Sequence, residues 1–423
     1  MNEAVVEALE PKAALDFYLQ RGVRPDGRRL DESRPLRLTL KPHESAGTFG
    51  SALAQLGPTQ VLGTATLQIG TPDLSAPLEG DLVVHVNLAP FLANADAGSS
   101  GVVSGSTQRA RAERGQLAAD TVRQSLLASG CLKLSDLSLS PYTAAWQLSL
   151  DLLVLDDGGS LLDCCFAAAI ATLRTIRLPA TIQPEKIEGS RDSSNCGAIQ
   201  IAAGQPWWDR TPLPVYKSLS SLTCRVWTPA STASESAVEA AKDGTTGSAG
   251  SSSSNGGKSS GPCLIVDPDR REEAELPATV TVVFACSTPE VASGGAVADS
   301  DAPSRVAAVT LELCGVYSRR GVPLSCITQC TSLSKAHALT AFQCLEAASS
   351  AAEARRLAAK KEAENPDGGS KRPTSDSSSG GATRTSLAAS GLKSEGSGGS
   401  KGKKHSTGGD SSQKSARVQS KKK

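Results

Sequence analysis

The segment Leu148–Pro179 limits the possible folds of this chain more than any other. Its first part, Leu148–Leu155, is mostly apolar and predicts a strand. The Asp-Asp-Gly-Gly sequence that follows is typical of tight hairpin turns, because Asp and Gly tolerate a positive φ. Asp163 is suited to accept backbone N–H groups as a helix N-cap. The alanine-rich stretch behind it has apolar residues at helical spacing, so the segment predicts a strand–turn–helix core element.

The rest of the chain changes between strand and helix periodicity in a regular order. Strands are predicted at 36–40, 48–55, 60–68, 82–88, 221–227, 262–266, 280–286 and 306–314, and helices at 4–20, 108–128 and 333–361. Strands followed by helices, twice over, indicate an α+β fold of two units.

Composition divides the chain further. The predicted regions are an N-terminal helix with a turn at 1–30, a first unit at 31–180, a second unit at 190–350 and a Gly/Ser/Lys tail at 364–423. Two low-complexity inserts, 228–261 and 287–304, interrupt the second unit. Such compositions cannot bury enough apolar surface to fold, so we expect the inserts and the tail to be disordered.

The totals exclude several classes of protein. A net charge of +1 gives no overall field toward nucleic acid or a membrane, and no apolar run is long enough to span a bilayer. The N-terminus lacks the basic region of a signal peptide. Eleven cysteines without CxxC pairs argue against a disulfide framework and a zinc site, although Cys326 and Cys330 share a helix face. We expect free thiols and an intracellular protein.

Four segments together resemble one family, the RNase PH superfamily. They are RPDGR at Arg24–Arg28, GSALAQLG at Gly50–Gly57, the part of the core element at Leu150–Pro179 and CLIVDPDRREE at Cys263–Glu273. The VDP-x-x-x-EE pattern in the last segment is typical of the branch whose exosome ring subunits lack catalysis. The resemblance implies an RNase PH-like fold (ribosomal protein S5 domain 2-like) built from two β-α-β units. It also implies a ring of such subunits with cap subunits, through whose pore RNA reaches a separate nuclease.

The resemblance also identifies positions where catalysis would occur. Active members of the family hold the attacking phosphate with arginines and a divalent metal with paired aspartates. Asp267 matches the first carboxylate, whereas Ala278 stands near the second and Asp120 replaces an arginine. Reversing a charge at a phosphate-binding position repels the phosphate. We therefore expect no enzyme activity, no cofactor and no metal, with Asp267 as a vestigial metal position.

Taken without the family, the acidic residues after the predicted strand at 262–266 allow two interpretations. They are Asp267, Asp269, Glu272, Glu273 and Glu275. Carboxylates in this number could hold Mg²⁺. A solvated acidic turn balanced by Arg270 and Arg271 is the interpretation we prefer, because charge runs usually face water.

Basic residues are the candidates for contact with RNA. Arg109, Arg111 and Arg114 follow a Gly/Ser-rich loop and could bind RNA phosphates, or they could form a solvated helix face that pairs with Glu113. The basic end of the chain, Lys401–Lys423, could bind RNA, direct nuclear import or only aid solubility. RPDGR could contact RNA or a neighbouring subunit, although a turn with exposed arginines explains it.

The function that these patterns favour is that of a non-catalytic exosome ring subunit. Its partners would be other RNase PH-like ring subunits, cap subunits and RNA, with no membrane. It would support 3′-to-5′ ribosomal RNA processing and RNA decay in the nucleus and nucleolus, and also in the cytoplasm. The alternatives are a phosphate-dependent 3′ exoribonuclease that uses Asp267 and a stand-alone RNA-binding protein that uses Ser400–Lys423.

Overall fold

The computed structural model describes residues 9–41, 47–89, 105–182, 200–201, 205–229, 261–288 and 309–364. These residues form two main β-sheets and five α-helices, and all belong to one compact unit, Met1–Asp367. Apart from residues at their margins, the predicted inserts 228–261 and 287–304 and the tail 364–423 lie outside the described residues. Among the helices of the described part, none is long and apolar enough to cross a membrane.

The first sheet holds most of the predicted N-terminal strands. Its members are β1 (Leu36–Lys41), β2 (Gly50–Leu56), β3 (Thr59–Gly70), β4 (Asp81–Leu88), β5 (Ser138–Ser140) and β6 (Ala144–Asp156). The order is β1-β2-β3-β6-β4, with β5 paired to β6, and only β4 and β6 run parallel. Alternate residues of β2 and β3 are buried, as a sheet with one core face requires.

Two of the first three helices pack on this sheet: α2 (Gly105–Ala128) on β4, and α3 (Leu161–Thr175) on β2 and β3. The first helix, α1 (Pro11–Leu19), instead buries Leu15 and Leu19 beside Trp227 and Ile265. Nearly all of α3 is buried, because it also contacts the second sheet. A glycine of the sheet permits this close approach. A Cβ added at Gly63 of β3 would collide with the Thr172 side chain of α3.

The second sheet contains β11 (Ser218–Trp227), β12 (Cys263–Val266), β13 (Thr279–Ser287) and β14 (Thr310–Arg319) in the antiparallel order β12-β11-β13-β14. In the sequence between α3 and β11 there are four short strands, β7 (Arg177–Leu178) paired with β10 (Thr211–Pro212) and β8 (Thr181–Ile182) paired with β9 (Gln200–Ile201). A short helix, α4 (Arg270–Glu275), follows β12, and the long α5 (Leu324–Glu364) covers the second sheet.

The elements agree with most sequence-based predictions and correct two. The α+β order and the antiparallel pairs β2–β3, β11–β12 and β13–β14 are confirmed. The hairpin role of Asp156–Gly159 is wrong, because these residues connect β6 directly to α3. The N-cap role of Asp163 is wrong too, since Ser160 is the N-cap residue and Asp163 lies in the first turn. The ten cysteines in the described residues are all free thiols, and seven of them are buried.

Candidate functional site

The carboxylate of Asp267 lies at the centre of a buried cluster of charges between the two sheets. Asp267 directly follows β12 with a φ of 50°, and only 1% of it is exposed. Arg34 donates to Oδ2 through its backbone N at 2.7 Å and Nε at 2.8 Å, and to Oδ1 through Nη2 at 2.5 Å. Arg28 Nη1 adds a contact to Oδ2 at 3.1 Å. Burial alone would raise the pKa of Asp267, but the hydrogen bonds and charge of Arg34 outweigh it and lower the pKa. The carboxylate is therefore ionised and fully engaged.

Glu272 forms the second buried ion pair of the cluster. It lies in the first turn of α4, where it and Asp269 form a reciprocal capping box. Arg24 donates through Nε to Glu272 Oε1 at 2.8 Å and through Nη2 to the other oxygen. The same guanidinium donates to the carbonyls of Val266 at 2.7 Å and Asp267 at 3.0 Å. Burial raises the pKa of Glu272, although Arg24 opposes this effect.

A third group joins α2 to the same cluster. Arg114 donates to Asp157 Oδ2 at 2.6 Å and to Glu273 Oε2 at 3.3 Å. Glu273 also accepts the backbone N–H of Ser160 at 3.0 Å. Asp157 lies in the turn between β6 and α3, whereas Glu273 lies in α4. Arg114 thus connects elements of both sheets through two carboxylates.

Asp163 connects α3 to the second sheet. Its carboxylate accepts Ser221 Oγ at 2.6 Å and, from Thr223, the backbone N at 2.8 Å and Oγ at 3.0 Å. Burial raises the pKa of Asp163 to about 6, while these hydrogen bonds act in the opposite direction. The polar contacts explain why a carboxylate lies inside the core.

The arrangement corrects the preferred interpretation of the acidic residues after β12. They do not form a solvated turn, because Asp267 and Glu272 are each only 1% exposed. Their partners are guanidinium groups, which neutralise the carboxylates at the positions that a cation would need. Within the residues that the structure describes, no group of three or more His, Cys, Asp or Glu side chains is arranged to hold a metal.

The positions at which the family would carry other catalytic groups lie apart from the cluster contacts. Ala278 is half-buried beside the second core, and its carbonyl accepts Val226 N at 3.0 Å. Asp120 is exposed on α2 and accepts Gln116 Nε2 at 2.9 Å. The loss of catalysis at these two positions, and the vestigial role of Asp267, stay predictions.

The three arginines suggested for RNA contact have different environments. Arg109 has a side chain that is 84% exposed and lies 3.7 Å from Glu113 Oε1. Arg111 donates to the carbonyl of Ala89 at 3.1 Å. Arg114 points to the buried cluster, as described above. RNA binding by Arg109, Arg111 and Arg114 stays a prediction, and Arg109 is the one whose guanidinium is most exposed.

The arginines of RPDGR are not exposed turn residues, which corrects the sequence-based interpretation. Arg24 is 1% exposed, and the Arg28 side chain is 13% exposed. Both lie inside because they neutralise carboxylates almost 250 residues away in the sequence. Sequence reasoning missed Arg34, which has no motif of its own. One signal in the sequence could have indicated the cluster. The basic motif RPDGR and the acidic residues after β12 each lie close to an apolar strand in the sequence, so the two motifs could be buried as partners.

Known proteins share the first part of this architecture. Residues 32–179 match the model of the 3′ exoribonuclease family, domain 1. The chain is 34% identical over 172 residues to exosome complex component Rrp42 of Saccharolobus solfataricus, an alignment that covers 41% of this chain and 58% of the relative. It is 35% identical over 178 residues to Rrp42 of Sulfurisphaera tokodaii, covering 42% of this chain and 60% of the relative. The chain thus matches less than two thirds of the length of these relatives.

One similar solved structure is a chain of the Archaeoglobus fulgidus exosome with RNA bound to the active site. The two chains superpose with a TM-score of 0.47 and 20% sequence identity. The match covers 85% of this chain and 99% of that chain. The family match confirms the predicted α+β fold of the RNase PH type. Residues 32–179 are therefore similar to domain 1 of the 3′ exoribonuclease family, and this part of the chain is similar to exosome components of archaea.

Proposed function

We propose that this chain is a non-catalytic subunit of an RNA exosome ring, most like ribosomal RNA-processing protein 43 (exosome component 8). Homology to archaeal exosome components supports the assignment. The partners in this proposal are other RNase PH-like ring subunits, cap subunits and RNA. The subunit supports the threading of RNA for 3′-to-5′ ribosomal RNA processing and decay.

The proposal includes a distribution in the cell. Imaging of the tagged chain should find it in the nucleus, the nucleolus and the cytoplasm, and exclusion from the nucleus would contradict that distribution.

The single observation that carries the non-catalytic assignment is the state of Asp267. Metal-assisted phosphoryl chemistry needs carboxylate oxygens that are free to bind a cation. Both oxygens of Asp267 instead accept guanidinium or backbone N–H groups from Arg34 in three hydrogen bonds, and Arg28 adds a fourth. These cations stabilise the ionised carboxylate inside the protein, and a metal would have to displace them.

The test of this assignment is a phosphorolysis assay. Full-length protein is incubated with magnesium, phosphate and a 5′-labelled single-stranded RNA, beside an active family exoribonuclease as positive control. We expect no release of nucleoside diphosphates above background. Release that disappears in Asp267→Ala would contradict the proposal and favour the exoribonuclease alternative.

Contact with RNA in the proposed pore is tested at the exposed start of α2. We expect Arg109→Gln and Arg111→Gln together to weaken binding of single-stranded RNA and to reduce the salt dependence, by about 0.7 in slope for each lost phosphate contact. The control is Arg123→Gln near the end of the same helix, where the side chain donates to the carbonyl of Leu82. If Arg123→Gln weakens RNA binding as much as Arg109→Gln and Arg111→Gln do, the effect is one of overall charge. That result would contradict RNA contact at the start of α2.

A further inference from the structure

A second charged site lies at the other end of α3 from the buried cluster. An open cavity of about 720 Å³ is formed there by the last residues of α3, by β7 and by the second half of α5. Arg174, Arg177 and Arg356 line the cavity, together with Ser349. None of the arginines and carboxylates of the buried cluster lines it, so its chemistry is separate.

The guanidinium groups of this cavity are only partly neutralised. Arg174 pairs with Glu346 at 2.6 Å, while Arg177 and Arg356 share Glu353 at 2.8 Å and 2.5 Å. A hydrogen bond from Arg356 lowers the pKa of Glu353, so this carboxylate is ionised at neutral pH. Three cations against two anions leave the cavity positive. The two glutamates are also 45% and 41% exposed and can turn toward solvent.

Donors without acceptors gather at the same place. In the described part of the chain, seven buried side-chain polar atoms have no hydrogen-bond partner, and three belong to residues that line this cavity. They are Arg174 Nε, Arg177 Nε and Ser349 Oγ. Buried polar groups are normally paired, so each such atom calls for an explanation. Once the exposed glutamates turn toward solvent, a ligand rich in acceptor oxygens can reach these atoms and supply the partners that they lack.

Two more basic residues, Lys360 and Arg210, lie outside the lining of the cavity. Arg356 donates to the carbonyl of Trp208 at 2.6 Å, which fixes α5 against the turn Trp207–Asp209. One turn further along α5, Lys360 lies 3.2 Å from Asp209. The next residue of that turn, Arg210, carries another buried Nε without a partner in the described residues.

We propose that this cavity binds a phosphate group. Guanidinium forks match phosphate oxygens in a bidentate way, and a phosphate carries more charge and more acceptors than the carboxylate it replaces. The phosphate takes the place of Glu353 between Arg177 and Arg356 and accepts from Arg174. The volume suits a nucleotide-sized ligand. The phosphate can belong to a free anion or to the RNA backbone, since the recognition chemistry is the same.

Calorimetric titration of the full-length chain with inorganic pyrophosphate at constant ionic strength tests the site. We expect saturable binding that Arg177→Gln weakens about tenfold or more, because a charge-assisted hydrogen bond is lost. Glu353→Gln should tighten binding, because it removes the competing carboxylate. A gain of affinity cannot come from a damaged fold. Lys361→Gln is the matched control, since Lys361 is exposed on the same helix and does not line the cavity.

A labelled oligoribonucleotide without terminal phosphates distinguishes the two sources. If Arg177→Gln and Glu353→Gln change its affinity in opposite directions, the RNA backbone occupies the site. If only pyrophosphate responds to them, the ligand is a free anion. Absence of saturable pyrophosphate binding, or equal affinity of the wild type and Arg177→Gln, would overturn the proposal. The titration needs no ring partner, so a failure here leaves the proposed exosome function standing.

Discussion

Arg24 shows how a charged side chain can lie in the interior of this protein. Its guanidinium is 1% exposed, yet each of its nitrogens donates to Glu272 or to a backbone carbonyl. Burying an ion pair costs desolvation energy, which good geometry and additional hydrogen bonds offset. The pair therefore specifies how the N-terminal turn docks on α4 more than it adds net stability. Removal of one partner leaves the other charge buried and unpaired.

Substitution of Arg24 tests this view. We expect Arg24→Met to lower the free energy of unfolding by about 3–5 kcal/mol, because Glu272 then stays buried without its cation. The double substitution Arg24→Met with Glu272→Met should recover part of that loss. Arg29→Met is the control, with an expected change of at most about 1 kcal/mol, since the Arg29 side chain is 78% exposed beside Asp31. Urea unfolding measures all three, and similar losses for Arg24→Met and Arg29→Met would contradict the account.

Asp163 predicts a pH dependence of stability. Its pKa is raised from 3.8 to about 6 in the folded protein, so the folded state binds more protons than the unfolded state between these values. Stability from this group is therefore greatest below pH 4 and falls as pH rises to about 6, by on the order of 2–3 kcal/mol.

The difference in unfolding free energy between the wild type and Asp163→Asn isolates this effect from the other titrating groups. Unfolding by urea is measured from pH 4 to pH 7 for both proteins. We expect the wild type to lose stability relative to the variant as the pH rises through that range. A difference that is constant with pH would show that folding does not shift the pKa of Asp163, and a change in the opposite direction would show that folding lowers it; either result would contradict the account.

At the scale of elements, the junction between the β6–α3 turn and the start of α4 fixes the position of one sheet relative to the other. Arg34 donates to the carbonyls of Gly158 at 3.0 Å and Gly159 at 3.1 Å while it binds Asp267. Ser160 donates to Glu273 in return. One arginine and one turn thus bring together elements from the beginning, the middle and the second half of the chain.

Gly159 is the position at which this junction has least room. Its φ is 101°, and a Cβ would lie 2.7 Å from Arg270 N in addition to colliding with Pro268 and Asp269. We expect Gly159→Ala to lower the melting temperature much more than Gly130→Ala. Gly130 also has a positive φ, 68°, but open space around it, so its cost should be only about 1 kcal/mol of backbone strain. Equal losses for the two variants would mean that the junction is not tightly packed.

The helices and strands could be predicted from local sequence patterns, whereas the buried cluster of charges could not. The alternation in β2 and β3 and the helical spacing in α3 are set by neighbours a few residues apart, so the sequence predicts them. Asp163 was assigned to a local cap because its true partners, Ser221 and Thr223, lie about 60 residues away. Partners at such distances depend on how the sheets pack, which no local periodicity contains.

At the scale of the whole molecule, the described part directs much of its acidic and basic charge inward. The arginines of RPDGR serve the interior, and Arg114 does so as well. A net charge of +1 for the whole chain therefore understates the difference between its regions. In the proposed function, exposed arginines such as Arg109 are the candidates for contact with RNA, and the cavity beside α5 is a separate candidate for a phosphate group.

The central claim is that this chain acts as a non-catalytic member of an exosome ring. Purification of the tagged full-length protein from its native cells, followed by quantitative mass spectrometry, tests that claim most directly. The account predicts recovery of the other RNase PH-like ring subunits and the cap subunits at equal stoichiometry with the chain. Recovery of the chain as a lone monomer, with no ring subunit in stoichiometric amount, would contradict it.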